Sequence, residues 1–212
     1  MTDKERYIKL FNNKVIKQYP QAKNLLNWIE QTDFFEAPAS SMYHLNVKGG
    51  LCKHSLNVYD RLVKLVKSEY NNDYDTLETS EGGIALIGLC HDLCKCNTYV
   101  LDYKNVKRRD PYGNLKDDIG RFDWVAEPYY KKEEQLIYGH GSKSVMIIQT
   151  FIQNLPLSEI LAVRFHQGGM EIPGQLEPGI TQTYNSFPLA LLTHLADMLS
   201  CYIDERIPEK DV

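Results

Sequence analysis

The chain has no apolar run approaching the roughly 20 residues that a helix needs to cross a bilayer. Its opening stretch, MTDKERYIKLFNNK, is charged throughout and holds no signal-peptide core, so a cytoplasmic protein without membrane attachment is expected. No internal repeat, low-complexity tract or long Ser/Gly linker divides it, and 212 residues suit one domain that buries its own core. Cysteine is sparse: Cys52, Cys90, Cys94, Cys96 and Cys201 are an odd number with no export signal, and read as reduced thiols. Three of them crowd around His91, but the C-x-C has no second pair at zinc-ribbon spacing. Positive charge is not in excess either. With 24 Lys and Arg against 28 Asp and Glu, the formal charge of −4 gives no global pull toward nucleic acid or anionic membrane. Only YKNVKRRDPYGNLK is locally basic, as a solvated loop or as a phosphate-contacting one.

What is present is mostly helical periodicity. Residues 3–18 and 21–34 carry apolar positions at helical spacing, among them Leu25, Leu26, Trp28 and Ile29. The segment Leu51–Tyr70 is amphipathic, with Leu51, Leu56, Val58, Leu62, Leu65 and Val66 on its apolar side, and Gly49-Gly50 lead into it. A further helix is predicted over Glu81–Lys95, with Thr79 and Ser80 as capping candidates. From Thr98 to about Glu127 the pattern changes: TYVLDYKNVKR and GRFDWVAE read as strands about a DPYGN turn, a β-hairpin inserted in a helical protein. Helices resume over 141–153, 156–166 and 186–204, with Pro156 and Pro188 where first-turn prolines are tolerated. GGMEIPGQLEPG is a loop, too rich in Gly and Pro for a regular element.

Chemistry concentrates around the histidines, of which there are only 6. His91 and Asp92 are adjacent at the end of the apolar stretch ALIGLCHDL. An ionised Asp there is costly to bury unless a partner compensates it, and a divalent cation would do so. His54 lies near the start of the 51–70 helix, and Asp197 is the only acid in the apolar stretch LTHLADMLS. His140 in IYGHGSKS and His166 in VRFHQGG sit at helix ends beside glycine, which allows close approach. Each of these two, taken singly, reads first as a satisfied surface or capping histidine, and only the ordered set turns the reading toward a ligand.

The order His54, His91-Asp92, Asp197 resembles the H…HD…D signature of the HD superfamily of metal-dependent hydrolases. With His140 and His166 added, it is similar to the binuclear members, which include HD-GYP phosphodiesterases and diiron oxygenases of the same fold. GGLCKHSLNVYD resembles the first motif of HD-domain 3′–5′ exoribonucleases, while FPLALLTHLADMLSCYIDE and GHGSKSVMIIQ resemble small HD hydrolases of phages and Firmicutes. The likeness covers residues 38–206 and implies a mainly α HD helical bundle, with 1–37 as an N-terminal helical extension and the hairpin at 98–127 as an insertion.

It further implies that His54, His91, Asp92 and Asp197 hold one metal. Asp92 would bridge to a second held by His140 and His166, each ion being Fe, Mn, Zn, Ni or Co. Lys95 falls in the HD-x-x-K position and would face substrate phosphate, or else serve as a C-terminal helix cation. The implied reaction is attack of metal-activated hydroxide on a phosphoester of a nucleotide or nucleic-acid end, with Asp92 and Lys95 as catalytic groups. His44, Lys143 and Arg164 are candidate substrate contacts, and His194 is a core histidine or a partner orienting a ligand. The alternatives are a diiron oxygenase on the same ligands and a metal-binding regulatory module with little turnover. The chain departs from the family in having Cys94 where a small residue is usual, and in lacking a G-Y-P element and an OB-like segment.

Overall fold

The computed structural model describes residues 1–134, 136, 138–169 and 177–206. Among them the chain is mainly α-helical, with one small antiparallel sheet. Helix α1 (Asp3–Leu10) starts on a capping box, in which the Thr2 hydroxyl accepts from the Glu5 N–H at 3.2 Å while the Glu5 carboxylate accepts from the Thr2 N–H at 2.8 Å. It continues as a π-helical stretch, Phe11–Ile16, that keeps Phe11 and Val15 inward. Helix α2 (Ala22–Gln31) buries Leu25, Leu26 and Ile29, the face its periodicity predicts. These two helices share one apolar core with the rest of the chain, and the Tyr7 hydroxyl donates to the Leu89 carbonyl at 3.0 Å.

Helix α3 (Gly50–Tyr70) follows Gly49, whose φ of 76° lies in the left-handed region open to glycine, and it ends at Asn71 in the same region. Helix α4 (Glu81–Cys90) is capped by Ser80, whose hydroxyl accepts from the Gly83 N–H at 3.0 Å. Thr79, the other capping candidate, instead donates to the buried Glu159. Every residue from Gly82 to Cys90 is buried, as expected of a helix apolar all round. Each Leu or Ile there contributes about 1.5–3 kcal/mol by leaving water. At Gly88 a Cβ would stand 2.6 Å from the Tyr59 Cα, so α3 and α4 cross almost backbone to backbone.

The helix expected over 81–95 is broken. Helix α4 stops at Cys90, and Leu93–Lys95 form a 3₁₀ turn. Adjacent side chains on an α-helix diverge by about 100°. Asp92 leaves the helical region (φ −107°, ψ 19°), which lets His91 and Asp92 serve the same centre.

The hairpin is present and longer than its sequence signal. Strand β1 (Tyr99–Arg109) pairs antiparallel with β3 (Gly120–Lys132), from Tyr99 opposite Lys132 to Arg109 opposite Phe122. A short strand, β2 (Leu115–Asp117), adds to the other side of β3 only as far as Phe122. At Pro128 one side of β3 therefore has no neighbouring strand, so a residue without an N–H is tolerated and the strand runs past Glu127.

Helix α5 (His140–Phe151) packs tightly on α6 (Leu157–Arg164), since a Cβ at Gly141 would stand 2.1 Å from the Arg164 carbonyl oxygen. The helix expected over 186–204 divides in two. Helix α8 (Pro188–Leu199) has Pro188 in its first turn and continues as the π-helical segment Ser200–Asp204. A short helix, α7 (Ile180–Ser186), precedes it and was not expected from so polar a stretch. Of the predicted Gly/Pro loop at 168–179, residues 170–176 lie outside the described residues. No single helix among the described residues is long and apolar enough to cross a membrane.

Candidate metal centre

Five parts of the fold converge on one buried carboxylate. Helix α3 supplies His54, the break after α4 supplies His91 and Asp92, α5 begins with His140, His166 follows α6, and α8 supplies Asp197. The structure thus brings together all the residues expected to ligate metal. His54, His91, Asp92 and His166 are buried, while His140 and Asp197 are partly open.

The two oxygens of Asp92 face different histidines. Oδ1 stands 2.6 Å from Nε2 of His140 and 3.4 Å from Nε2 of His166. Oδ2 stands 3.5 Å from Nε2 of both His54 and His91, and 2.7 Å from Nζ of Lys95. Asp197 Oδ1 lies 3.2 Å from His54 Nε2 on the far side. Donor atoms close enough to share an ion fall into overlapping sets: His54, His91 and Asp197; His91, Asp92 and His166; Asp92, Cys94 and His140.

Second partners orient the rings. His91 Nδ1–H donates to the Gly88 carbonyl at 3.0 Å and His166 Nδ1–H to the Val163 carbonyl at 2.7 Å, each three residues back at its own helix end. His54 Nδ1–H donates to the carboxylate of Glu205, 3.1 Å from either oxygen. With one proton fixed on Nδ1, each Nε2 is the nitrogen turned to the centre, where its lone pair serves an ion once any second proton has left. Two such nitrogens, on His54 and His91, lie 3.2 Å apart, and His166 Nε2 is buried without a hydrogen-bond partner. Buried ring nitrogens aimed at each other and at carboxylates fit a cation, and imidazole with carboxylate is a first-row transition-metal donor set.

The electrostatics agree. Burial disfavours charge on His54, but the Asp197 and Glu205 carboxylates outweigh it and raise its pKa to about 10. Burial would raise Asp92, yet Lys95 and His91 hold it well below the usual carboxylate range. Asp197 is likewise depressed, with His54 overcoming its burial. The centre therefore attracts positive charge. His140 stands 2.6 Å from Asp92 yet is lowered to about 4, because burial, with His166 and Lys95 adding to it, outweighs that carboxylate.

A cleft of about 820 Å³ opens onto this centre, lined by Asp92, Lys95, Asp197 and Glu205 on one side and by Met42, Tyr43 and Tyr202 at its mouth. Lys95 lines the cleft, where a substrate contact would stand, but its ammonium is already held by two oxygens. Its Nζ donates to the Ala39 carbonyl at 2.7 Å as well as meeting Asp92. His44 lines the same wall, and burial lowers its pKa to about 4. His194 does too, with its Nδ1–H donating to the His166 carbonyl at 2.7 Å, so it supports the segment that carries a candidate ligand.

Two expected substrate contacts lie elsewhere. Lys143 faces Glu134 at 3.7 Å and is not part of the cleft wall. Arg164 pairs with Glu177 and lines a separate pocket between α5 and α6. The basic stretch of the hairpin is largely paired within the sheet, Lys107 and Arg109 with Asp117, and Arg108 with Glu127.

Sequence reasoning missed Glu205, which no periodicity marks. It stands eight residues after Asp197, with Cys201 midway. On a regular helix each step of four residues advances about 40° around the axis, so Glu205 would drift off the face of Asp197. The π turn, closed by Glu205 N–H to Ser200 O at 3.0 Å, turns less per residue and brings the carboxylate back. The spacing Asp197, Cys201, Glu205 was the signal available, legible only with that turn.

Comparison with protein-family models, with curated proteins and with solved structures finds no match for this chain.

Proposed function

We propose that the chain is a metal-dependent phosphohydrolase of the HD class, cleaving a phosphoester of a nucleotide or a nucleic-acid end. The observation that carries this reading is the division of one buried carboxylate, Asp92, among four imidazoles on the floor of an open cleft. His54, His91, Asp92 and Asp197 would hold one divalent ion, and Asp92, His140 and His166 a second. Ions held there would supply positive charge for phosphoryl oxygens and a lowered pKa for bound water.

The chain's own groups have separable tasks. Lys95 keeps Asp92 ionised and fixes the direction of its Oδ2. Glu205 and the backbone carbonyls of Gly88 and Val163 fix the tautomers of His54, His91 and His166. His44, neutral at pH 7, turns Nε2 toward the group of Cys201 and Glu205 on the cleft wall. Tyr43 and Tyr202 give the mouth flat apolar surfaces suited to a base.

Purified protein loaded with Mn²⁺ or Fe²⁺ and offered a panel of phosphoesters tests the proposal. Phosphoester cleavage is expected, with loss of at least about a thousandfold in His91→Ala and Asp92→Ala while circular dichroism remains that of the folded chain. Activity surviving both substitutions rules the centre out. Oxygen consumption with no phosphoester cleavage would instead favour the diiron oxygenase reading.

A further inference from the structure

Beside the centre, three side chains outside its ligand set converge on the cleft wall. Cys201 Sγ lies 3.5 Å from His44 Nε2, and His44 Nε2 lies 4.0 Å from Glu205 Oε2. Together with His54, their donor atoms all fall within 4.8 Å of one another. We propose that His44, Cys201 and Glu205 form a further binding site, separate from the His/Asp centre, for a zinc-class divalent cation.

Separations of this size approach the edges of a tetrahedron around an ion with bonds of about 2.0–2.3 Å. Thiolate, imidazole and carboxylate together suit a borderline-soft ion such as Zn²⁺, and three protein ligands leave a fourth position open to the cleft. The ligands come from two directions. Cys201 and Glu205 share one face of the π turn, and His44 reaches over them from the segment before α3. Glu205 divides its oxygens to suit. Oε1 accepts from Asn57 Nδ2 at 2.8 Å, while Oε2 is the oxygen turned toward His44. His54 Nδ1 can keep its bond to Oε1 when Oε2 turns to an ion.

Cys201 donates its S–H to Asp197 Oδ1 at 3.4 Å. Binding would break that S–H bond, send the proton to solvent and leave the bonding electron pair on sulfur, which as a thiolate would donate a lone pair to the ion with no redox change. Asp197 then stands at the boundary, 3.4 Å from Cys201 Sγ and 3.2 Å from His54 Nε2.

Cobalt(II) titration of chelator-treated full-length protein tests this site without reference to activity. A thiolate-to-cobalt charge-transfer band is expected in the near ultraviolet. It should vanish in Cys201→Ser, along with about one equivalent of bound metal by elemental analysis, and its half-saturation should rise about tenfold or more in His44→Ala. Cys94→Ser is the control, because Cys94 Sγ stands 3.3 Å from His140 at the other centre, and this variant should keep the band. Asp92→Asn separates the two claims: it should lose metal from the His/Asp centre and retain the band. Absence of the band in the unaltered protein, or its survival in Cys201→Ser, overturns the proposal. If Cys201→Ser does not fold, His44→Ala decides, and an unshifted half-saturation there overturns it.

Discussion

Burying a carboxylate ion costs several kcal/mol unless close charges and donors compensate it, and Asp92 is 2% exposed. Lys95 is its one close permanent cation among the described residues, at 2.7 Å, and the imidazoles supply the rest. Glu205 extends the same arrangement outward, because its side chain is fully buried yet ionised against His54 and Asn57. Glu205→Gln keeps the shape and removes the charge that makes His54 a stronger donor. Metal affinity measured by calorimetry is expected to fall about 10–100-fold, with folding retained. Affinity unchanged by Glu205→Gln would mean that Asn57 and packing alone orient the ring. At this scale the sequence was informative about His54, His91, Asp92, His140, His166 and Asp197, because histidines are few and acids in apolar stretches demand an explanation. It was silent on Glu205, whose flanking stretch, YIDER, looks like any polar helix end.

Helices hold these residues at distances that leave little room for error. The joint between α5 and α6 sets His140 against His166, with ring centroids 5.1 Å apart. Gly141→Ala places a methyl 2.1 Å from the Arg164 carbonyl, so α5 must retreat. A loss of about 1–3 kcal/mol in denaturant unfolding is expected, with weaker metal binding on the His140 side. Unchanged stability and unchanged metal content would show that the two helices dock with slack. Helices α3 and α4 were legible because apolar periodicity, a glycine entrance and a serine cap agree. The stop at Cys90 was not, since nothing local forbids a helix through HDLCK; tertiary convergence on Asp92 decides it. Helix α7 was hidden because ITQTYNS carries a single buried residue, Ile180.

Across the whole molecule, the buried histidines make stability depend on acidity. His44 and His140 each have a folded pKa of about 4, below the 6.5 of an exposed imidazole. Between those values the unfolded chain binds more protons than the folded one, so metal-free protein should lose stability as pH falls from about 6.5 to 4. His54 works in the opposite sense. Raised to about 10, it contributes fully below pH 6.5 and loses that contribution as pH rises through 10. Denaturant midpoints of chelator-treated protein should therefore be highest near neutrality, and a flat profile from pH 7 to 4 would contradict the neutral state assigned to His44 and His140. The mainly α architecture with its inserted hairpin was legible at this scale. The meeting of α3, α5, α6 and α8 around one carboxylate was not, because contacts between distant segments leave no local trace.

The bonds from His91 to Gly88 and from His166 to Val163 also have an evolutionary consequence. Each ring uses one nitrogen to satisfy a carbonyl that its own helix end leaves orphaned, and offers the other to the centre. A cysteine or carboxylate at either position would retain a donor atom while abandoning the helix end. His140, at the opening of its helix, carries no such double duty. Across a library of substitutions, positions 91 and 166 should admit no alternative ligand, whereas position 140 should accept Asp or Glu, and a lineage exchanging one metal for another would begin its changes there.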